Sequence, residues 1–570
     1  MSASAETVIT ARIRPELFEK CGLQVRSRTL LVAALAIITL LGFGFRASQL
    51  SSEGLSEDEL NKLQAVEEYR HHGLSSINGE HPFLMKALMT ASVVAAERWN
   101  ASTVAAGNPS AQVSVETALR LPVTIFGAAT ALLIFLLVSE LFGTEIALIA
   151  ATLWALDPTA ISFNRIAKED TFLLFFFLLA NVFWLRSQRV AESGKRNPEP
   201  LYWATAAAYG AMMASKYMPH LMAVGVSYYY IFQGIPQTRW RMGKKRFLIF
   251  FAVMGVVFLI LNPTILLPGT WHEMKIFAGE KRIGHGSYEF MGTLYLNQMS
   301  LWLKGMPWSF YYVFMGVKLP LTTLAAFLVG LPLLLRKRLG DGRFFLFFWL
   351  VFWFMPFTVM GGKYTRYFTT ALPVVLITAA IGIHFVAQHL ARLLKTAFDS
   401  ERAGAMTQAS VVALVLTVTA VAAASALPYY RLYTNALGAG LADVGSYFPH
   451  DEFYDASVRD AAREVARIAR PGARVTSETP GLFEYYTRLA GRSDLTFVRL
   501  SDEEAMQEVG AGDIIIVARG RRYLSNDALT TNLEKNYAPA VTVSLGQVPS
   551  VKIFVLDRAV GEALAGNVRP

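Results

Sequence analysis

Long apolar runs alternate with short polar segments along most of the chain. A helix needs about 20 apolar residues to cross a bilayer core of roughly 30 Å. On that criterion we predict eleven membrane-spanning helices, near residues 29–47, 119–140, 145–163, 169–186, 201–216, 218–235, 247–267, 310–335, 344–361, 366–390 and 408–428. The fifth and sixth runs, 201–216 and 218–235, are almost continuous, so the number of spans in this region stays open.

The first apolar run is interpreted as a retained span and not as a cleaved secretory signal. The residues after it, GFGFRASQLSSEGLSEDEL, match a small-residue cleavage site only weakly, and further apolar runs follow. Residues 1–28 are then an N-terminal segment, and residues 29–428 are the transmembrane domain.

Basic residues predict the orientation of the spans, because they are retained on the cytoplasmic side. With the N-terminus inside, all four basic loops fall inside: RSQRVAESGKR, QTRWRMGKKR, RKRLGDGR and HLARLLKTAFDSER. The loops at 48–118 and 268–309 and the tail at 429–570 then lie outside. We predict a multi-pass membrane protein with a cytoplasmic N-terminus.

The tail has a different pattern from the rest of the chain. RVTSE, TFVRL, DIIIVARG and VTVSL…VKIFVLD are typical of strands, and EEAMQEVG and NDALTTNLEKNY, which separate them, are typical of helices. A further helix is predicted within DASVRDAAREVARIARPG. The predicted fold class is therefore an α-helical polytopic membrane protein with a C-terminal extracytoplasmic α/β domain.

Composition agrees with a membrane protein, since 54% of the 570 residues are hydrophobic and 17% are charged. The single cysteine, Cys21, excludes an internal disulfide. The net charge of +10 does not indicate nucleic-acid binding, because the basic residues lie in the short loops where topology requires them.

Ionisable residues recur at the predicted outer ends of the spans. Charges there are costly against lipid and usually face a cavity, a partner or the interface. The candidates are Asp58, Glu59, Glu80, His81 and Lys86 in the first outer loop, Arg165 and Asp170 before the fourth span, Lys216 between the fifth and sixth spans, His285 and Tyr288 in GEKRIGHGSYEF, and Lys363 and Arg366 in GGKYTRYF. Lys168 and Glu169 are two further charges before the fourth span. Both signs of charge on one side suit an anionic, lipid-linked substrate.

A site that moves a sugar from a polyprenyl phosphate to a hydroxyl has simple requirements. The leaving phosphate needs cationic side chains but no proton donor. The acceptor hydroxyl is a poor nucleophile, so a carboxylate should take its proton, for a gain of about 10²–10⁴-fold. One base and several cations suffice, and a single displacement inverts the anomeric centre.

These residues resemble a known family pattern. Asp58-Glu59, then EHPFLMK (His81, Pro82, Lys86), then RIAKED (Arg165 to Asp170) is similar to the GT-C glycosyltransferases that use polyprenyl-phosphate sugars, the protein O-mannosyltransferases and the lipid A aminoarabinose transferases. GHGSYEFMG followed by VKLPL is similar to bacterial members of this group, which implies a location in the bacterial cytoplasmic (inner) membrane. The resemblance covers spans one to ten. Phe83 in place of a second proline and Glu80 in place of aspartate depart from the pattern and leave the acceptor open.

The resemblance implies roles for these residues. Asp58 would be the catalytic base, and Glu59 would orient it or the acceptor. Lys216, Lys363 and Arg366 would hold the carrier phosphate, and the other candidates would contact substrate. The donor would carry a mannose- or arabinose-like sugar, and the acceptor would be a protein, a lipid or a glycan. No cofactor is expected, and cationic side chains can replace a divalent metal at a monophosphate leaving group.

Structural interpretations of the same residues remain open. Glu57, Asp58 and Glu59 are also typical of a helix start capped by Ser56. Arg165 and Asp170 could form an interfacial ion pair that ties two short spans.

Other interpretations concern the histidines and the aromatic residues. His71, His72, His81 and His285 with Glu80 could ligate a metal, although no tight ligand spacing supports this. The aromatic residues Trp302, Trp308 and Tyr311 suit an interfacial belt or the wall of a sugar site.

Two alternatives to a glycosyltransferase are a transporter or lipid flippase and a non-catalytic protein of the same fold. A transporter would need inverted repeats and ionisable residues near span centres, and the sequence has neither.

Overall fold

The computed structural model describes residues 27–194, 196–217, 219–229, 244–279, 286–440 and 442–557. The apolar runs form helices in this part of the chain. They are α1 (Ser27–Ala47), α4 (Val115–Leu141), α5 (Thr144–Leu156), α6 (Pro158–Phe163), α7 (Asp170–Ser193), α8 (Glu199–Met213), α9 (Met222–Tyr228), α10 (Lys244–Leu261), α12 (Phe310–Lys318), α13 (Leu321–Leu333), α14 (Gly342–Val359), α15 (Leu372–Phe398) and α16 (Glu401–Ala426).

Six helices of the described ranges are long and apolar enough to cross a membrane: 28–47, 109–141, 170–193, 342–359, 372–398 and 401–426. The first and last of them expose large apolar side chains, including Leu30, Leu40, Leu414 and Val421. Such surfaces are stable against lipid and not against water. The multi-pass membrane protein expected from the sequence is therefore confirmed, whereas the count of eleven spans stays a prediction.

Two of the predicted continuous spans are wrong in detail. The run at 145–163 breaks between α5 and α6 at Asp157. Its carboxylate caps α6 by accepting a hydrogen bond from the Ala160 N–H (2.9 Å), and Pro158 is the first residue of α6. The run at 310–335 breaks between α12 and α13 at Pro320, which has no N–H to continue the helix. The break leaves Lys318 buried.

Small residues let α13 and α15 approach closely. A Cβ added to Gly382 would lie 2.0 Å from the Ala326 carbonyl oxygen, and one added to Gly330 would lie 2.0 Å from that of Thr378. Glycine at these helix contacts is typical of membrane bundles.

The two predicted outer loops carry their own elements. These are α2 (Glu57–His72) and α3 (Phe83–Asn100) in the first, and α11 (Pro268–Gly279) with the antiparallel hairpin β1 (Ser287–Phe290) and β2 (Thr293–Leu296) in the second. A short 3-10 turn at Thr365–Thr370 joins α14 to α15.

The tail forms the predicted α/β unit. Its helices are α17 (Pro449–Phe453), α18 (Val458–Ile468), α19 (Pro480–Leu489), α20 (Glu503–Gln507) and α21 (Asp527–Asn536), and its strands are β3 (Arg474–Ser477), β4 (Thr496–Arg499), β5 (Ile514–Ala518), β6 (Val541–Leu545) and β7 (Val548–Val555). The sheet has the order β4-β3-β5-β7-β6, in which β3 is parallel to β4 and β5, and β7 is antiparallel to β5 and β6.

The first predicted outer loop and the tail share one hydrophobic core. Leu60, Val66 and Met85 of the loop belong to the same buried cluster as Val465 and Phe483 of the tail. The Tyr486 hydroxyl also accepts a hydrogen bond from the Leu55 N–H (2.7 Å). This core holds the start of α2 against the tail.

Candidate active site

The first turn of α2 is fixed by a capping box. The Ser56 hydroxyl accepts a hydrogen bond from the Glu59 N–H (3.3 Å), and the Glu59 carboxylate accepts one from the Ser56 N–H (3.0 Å). The helix start with a Ser56 cap is therefore present. It does not compete with a chemical role, because it leaves the Asp58 side chain outside the box.

Glu59 is buried and its carboxylate is fully engaged. Arg120 of α4 donates two hydrogen bonds to it, from Nε (2.8 Å) and Nη2 (2.7 Å), and the Ala167 N–H donates a third (2.9 Å). The side chain is 1% exposed. Glu59 thus ties α2 to α4 and to the segment before α7, and has no free oxygen for a substrate.

Asp58 lies beside a cation and a phenol. Its carboxylate pairs with the Lys168 ammonium and accepts a hydrogen bond from the Tyr454 hydroxyl, while the side chain stays 34% exposed. Burial favours the neutral acid, but the positive charges of Lys168 and Arg366 outweigh it and hold the pKa of Asp58 well below its usual range. The group is an accessible carboxylate at physiological pH.

Arg366 is positioned by the turn between α14 and α15. Its guanidinium carbon lies 4.3 Å from the ring centroid of Tyr364, 5.8 Å from that of Tyr367 and 5.9 Å from that of Tyr454. Among the residues that the structure describes, no carboxylate lies within ion-pair distance of Arg366, and no hydrogen bond from its guanidinium is found. Its donors remain available to an anion.

Two neighbouring cations are already neutralised. Arg366, Arg431 and Lys318 line a cavity of about 30 Å³, but Arg431 pairs with Glu53 and Lys318 with Glu452. Arg366 therefore differs from them, since no carboxylate of the described ranges contacts it.

Lys216 and Asp170 form an ion pair, with 2.6 Å between Nζ and Oδ1. The Lys216 ammonium lies 5.5 Å from the ring centroid of Tyr367, and the Arg366 guanidinium carbon lies 5.8 Å from the same centroid. Both cations therefore contact one aromatic ring. The predicted pair of Asp170 with Arg165 is wrong.

Arg165 instead binds the end of α1. Its Nη1 donates to the carbonyl oxygens of Arg46 (2.9 Å) and Ser48 (2.6 Å), and Nη2 donates to that of Gln49 (3.0 Å). A cation at a helix C-terminus satisfies carbonyl groups that have no partner within the helix. Arg165 therefore anchors the end of α1 to the segment before α7.

The second predicted element of the first loop, around His81, contacts the segment that carries Lys168. His81 Nδ1 is 2.5 Å from the carboxylate of Glu169, and the Glu80 carboxylate accepts a hydrogen bond from the Asn78 amide. Lys86 donates to the carbonyl oxygen of Asn78 (2.8 Å), and burial lowers its pKa to about 7. These contacts tie the loop to Glu169, the residue after Lys168.

Of the remaining candidates, two support the Arg366 turn. Lys363 donates to the carbonyl oxygens of Thr358 (3.2 Å) and Met360. The Tyr288 hydroxyl donates to Asp451 (2.6 Å), which also accepts from the Thr365 N–H (2.8 Å). Their polar atoms are used in holding the backbone. His285 lies outside the described residues.

The aromatic and metal interpretations gain little from the geometry. Trp302 and Trp308 are 60% and 61% exposed, whereas Tyr311 is buried and donates to the Tyr364 carbonyl oxygen (3.0 Å). Across the described ranges, no group of three or more histidine, cysteine, aspartate or glutamate side chains could hold a metal ion.

Sequence reasoning missed the two direct partners of Asp58. Lys168 lies within RIAKED, where charge alone did not distinguish it from its neighbours. Tyr454 lies in HDEFYD, 396 positions after Asp58. Its φ of 41° is uncommon for an aromatic residue, and only the fold brings it to α2.

Comparison with known proteins agrees with this architecture. Residues 111–266 match the model of the dolichyl-phosphate-mannose-protein mannosyltransferase family. No curated protein matches the chain by sequence.

Solved structures of glycosyltransferases are similar in fold. ArnT from Cupriavidus metallidurans, bound to undecaprenyl phosphate, aligns over 92% of this chain and 98% of its own, with 15% identity and a TM-score of 0.50. The oligosaccharyltransferase of Archaeoglobus fulgidus aligns over 86% of this chain and 69% of its own, with 12% identity and a TM-score of 0.49. The likeness to ArnT confirms the predicted GT-C fold.

Proposed function

We propose that this chain is an integral-membrane glycosyltransferase. It transfers a mannose- or arabinose-like sugar from a polyprenyl-phosphate carrier to a hydroxyl of a protein, lipid or glycan acceptor, on the extracytoplasmic side of a bacterial inner membrane. The observation that carries the proposal is the accessible carboxylate of Asp58, paired with Lys168 and Tyr454 next to the guanidinium of Arg366, which has no carboxylate partner among the described residues. The GT-C fold and the family match at 111–266 support it.

Arg366 binds the carrier phosphate in this proposal, with Lys168 and Lys216 nearby. The donor is a phosphodiester with one negative charge, and the leaving group is a monoester that gains a second. Because this charge develops as the bond breaks, a fixed cation stabilises the transition state more than the bound donor. The planar guanidinium can also form two parallel hydrogen bonds to a phosphate.

Asp58 acts as the base. The acceptor oxygen bonds to the anomeric carbon, the bond from that carbon to the phosphate oxygen breaks, and the acceptor proton passes to an Asp58 oxygen. Lys168 and Arg366 keep Asp58 ionised in the free enzyme. The bound phosphate offsets their positive field, which raises the proton affinity of the carboxylate when the donor is present.

Glu59 and Arg120 are positioning residues in this scheme, since they fix the turn that carries Asp58 and the segment that carries Lys168. Tyr454 gives the tail a direct part in the site, because its hydroxyl holds one oxygen of the base.

Deletion of the gene should remove one sugar from one class of glycan, glycolipid or glycoprotein in the cell. Mass spectrometry of these fractions from the deletion strain, and from the same strain with the gene restored, measures the loss. A product shorter by one sugar identifies both donor sugar and acceptor. An unchanged profile would contradict the proposed function.

Substitution of Arg366 by Gln should lower kcat/KM for the lipid-linked donor about 10- to 100-fold. Charge-assisted hydrogen bonds are worth about 1.5–3 kcal/mol, and 1.4 kcal/mol is a factor of ten. Arg366→Lys should retain part of the activity, because it keeps the charge. Arg189→Gln serves as the control. It removes an exposed cation that pairs with Glu140 near the C-terminal end of α7, whereas Asp170 begins that helix. Equal losses in both Gln variants would argue against phosphate binding at Arg366.

A further inference from the structure

The tail contains a large open cleft that the proposed reaction does not use. Its volume is about 1030 Å³, at the upper end of the roughly 300–1,000 Å³ typical of ligand pockets. The walls come from the end of β3 and the residues after it (477–479), the end of β5 and the residues after it (516–522), residues 549, 550 and 552 of β7, the β1–β2 hairpin, residues 443–449 and α21.

The topology of the sheet places this cleft where ligands usually bind. The chain runs β3, β4, β5, yet β3 lies between the other two strands, so the strand order reverses between β3 and β5. In open parallel sheets, ligands bind outside the carboxyl ends of the strands at such a reversal. Ser477 ends β3 and Ala518 ends β5, and both line the cleft.

Two polar groups of the cleft lack the partners that a purely structural role would give them. Ser477 is 2% exposed, and its hydroxyl has no hydrogen-bond partner among the residues that the structure describes. In the described part of the chain, the Arg519 guanidinium donates only a long hydrogen bond to the Val444 carbonyl oxygen (3.4 Å), lies 4.7 Å from the ring centroid of Phe453, and contacts no carboxylate. A buried hydroxyl without a partner is costly, so the cleft is suited to a polar ligand.

The lining argues against an anionic ligand such as a nucleotide. A phosphate site at this position needs a glycine-rich turn with free N–H groups after the first strand. Here Glu478 follows β3 with its carboxylate buried against Asn526 (2.6 Å) and Ser501 (3.0 Å), and Pro480 has no N–H. A buried carboxylate at this point would repel a phosphate.

An extended peptide is also a poor fit. Peptides that add to a sheet need a free strand edge. The edges of this sheet are β4 and β6, and no residue of either strand lines the cleft.

The lining charges are nearly balanced, with four acids (Glu289, Asp443, Glu478, Glu534) and five bases (Arg519, Arg521, Arg522, Lys535, Lys552).

We propose that this cleft binds a neutral, polyhydroxylated ligand, the glycan part of the acceptor. Sugar hydroxyls both donate and accept hydrogen bonds, which matches a wall of mixed carboxylates, guanidinium groups and hydroxyls. This assignment rests on the proposed function, since it names the acceptor class of that reaction.

One arginine joins the cleft to the candidate base. Arg521 lines the cleft, donates to Asp455 from Nε (2.7 Å) and from Nη2, and donates to Glu57 from Nη1 (3.2 Å). Asp455 directly follows Tyr454, and Glu57 directly precedes Asp58. A glycan in the cleft therefore lies next to the residues that hold the base.

A photoreactive amino acid in place of Thr531, an exposed residue of α21 on the cleft wall, tests the assignment. The full chain is irradiated in its native membranes and digested, and the masses of the tail peptides are measured by mass spectrometry. We expect an adduct whose added mass is a whole number of sugar residues. The same label at Arg463, an exposed position of α18, should give no such adduct. Adducts of peptides or nucleotides, or no adduct at all, would overturn the proposal.

The substitutions Ser477→Ala and Arg519→Gln together should reduce the adduct yield at least tenfold. Removal of an unpartnered hydroxyl should not harm folding, and the melting temperature of the variant checks this. An unchanged yield would contradict the assignment.

The labelled chain is also made with Asp58→Asn, so that the two proposals can fail separately. If only the cleft assignment fails, sugar transfer is lost but no glycan adduct forms. If only the transfer proposal fails, the glycan adduct forms while Asp58→Asn leaves the cellular glycans unchanged.

Discussion

Substitution of Asp58 by Asn should lower kcat for sugar transfer by about 10²–10⁴-fold, the usual contribution of a general base. The amide has the shape of the carboxylate, and its oxygen can still accept from Tyr454 and Lys168. It cannot take the proton of the acceptor hydroxyl. The substitution also removes a negative charge next to the carrier phosphate, so KM for the donor should stay equal or fall.

Glu67→Gln is the matched control for this variant. It makes the same chemical change on the same helix, at an exposed side chain that pairs with Arg70. Both variants are purified, checked for thermal stability, and assayed with donor labelled in the sugar. Transfer by Asp58→Asn at the rate of Glu67→Gln would rule out the base and favour a non-catalytic protein of the same fold.

Substitution of Arg120 by Gln should destabilise the protein by about 3–5 kcal/mol, the usual cost of breaking a buried ion pair. Arg120 is 3% exposed and Glu59 is 1% exposed, so the remaining carboxylate would stay buried without a counterion. Arg120 also donates to the carbonyl oxygens of Leu50 (2.7 Å) and Gly54 (2.6 Å), which join α1 to α2. We expect a melting temperature several degrees lower.

Arg70→Gln is the control for the stability experiment, since Arg70 pairs with Glu67 and Glu97 at the surface. Exposed pairs contribute about 0–1 kcal/mol. The double variant Glu59→Gln, Arg120→Gln should lose less than the sum of its single variants, because the two charges are in direct contact. Additive losses, or equal melting temperatures for Arg120→Gln and Arg70→Gln, would contradict the assigned role.

Hydropathy predicted the helices better than their interruptions. The bilayer imposes length and apolar composition on a span, and both are visible in a sequence window. The breaks at Asp157 and Pro320 depend on single residues within apolar runs, and a window average hides them. The strands of the tail were predicted because short runs rich in β-branched residues stand out between polar, helix-like segments.

The candidate site was predicted as a set of residues and not as a set of contacts. Asp58, Lys216 and Arg366 come together around Tyr367 and Tyr454. Arg165 belongs to the same motif by spacing, but the end of α1 takes its hydrogen bonds. Charge and order in the sequence do not reveal which partner a side chain finds across a fold.

The shared core of the first outer loop and the tail limits how the chain can be re-engineered. A chimaera that exchanged only the tail with that of a related protein would mismatch Val465 and Phe483 against Leu60 and Met85. It would also move the phenol that holds the base. A chimaera keeps its reaction centre intact only if residues 48–118 and 429–557 come from the same parent protein.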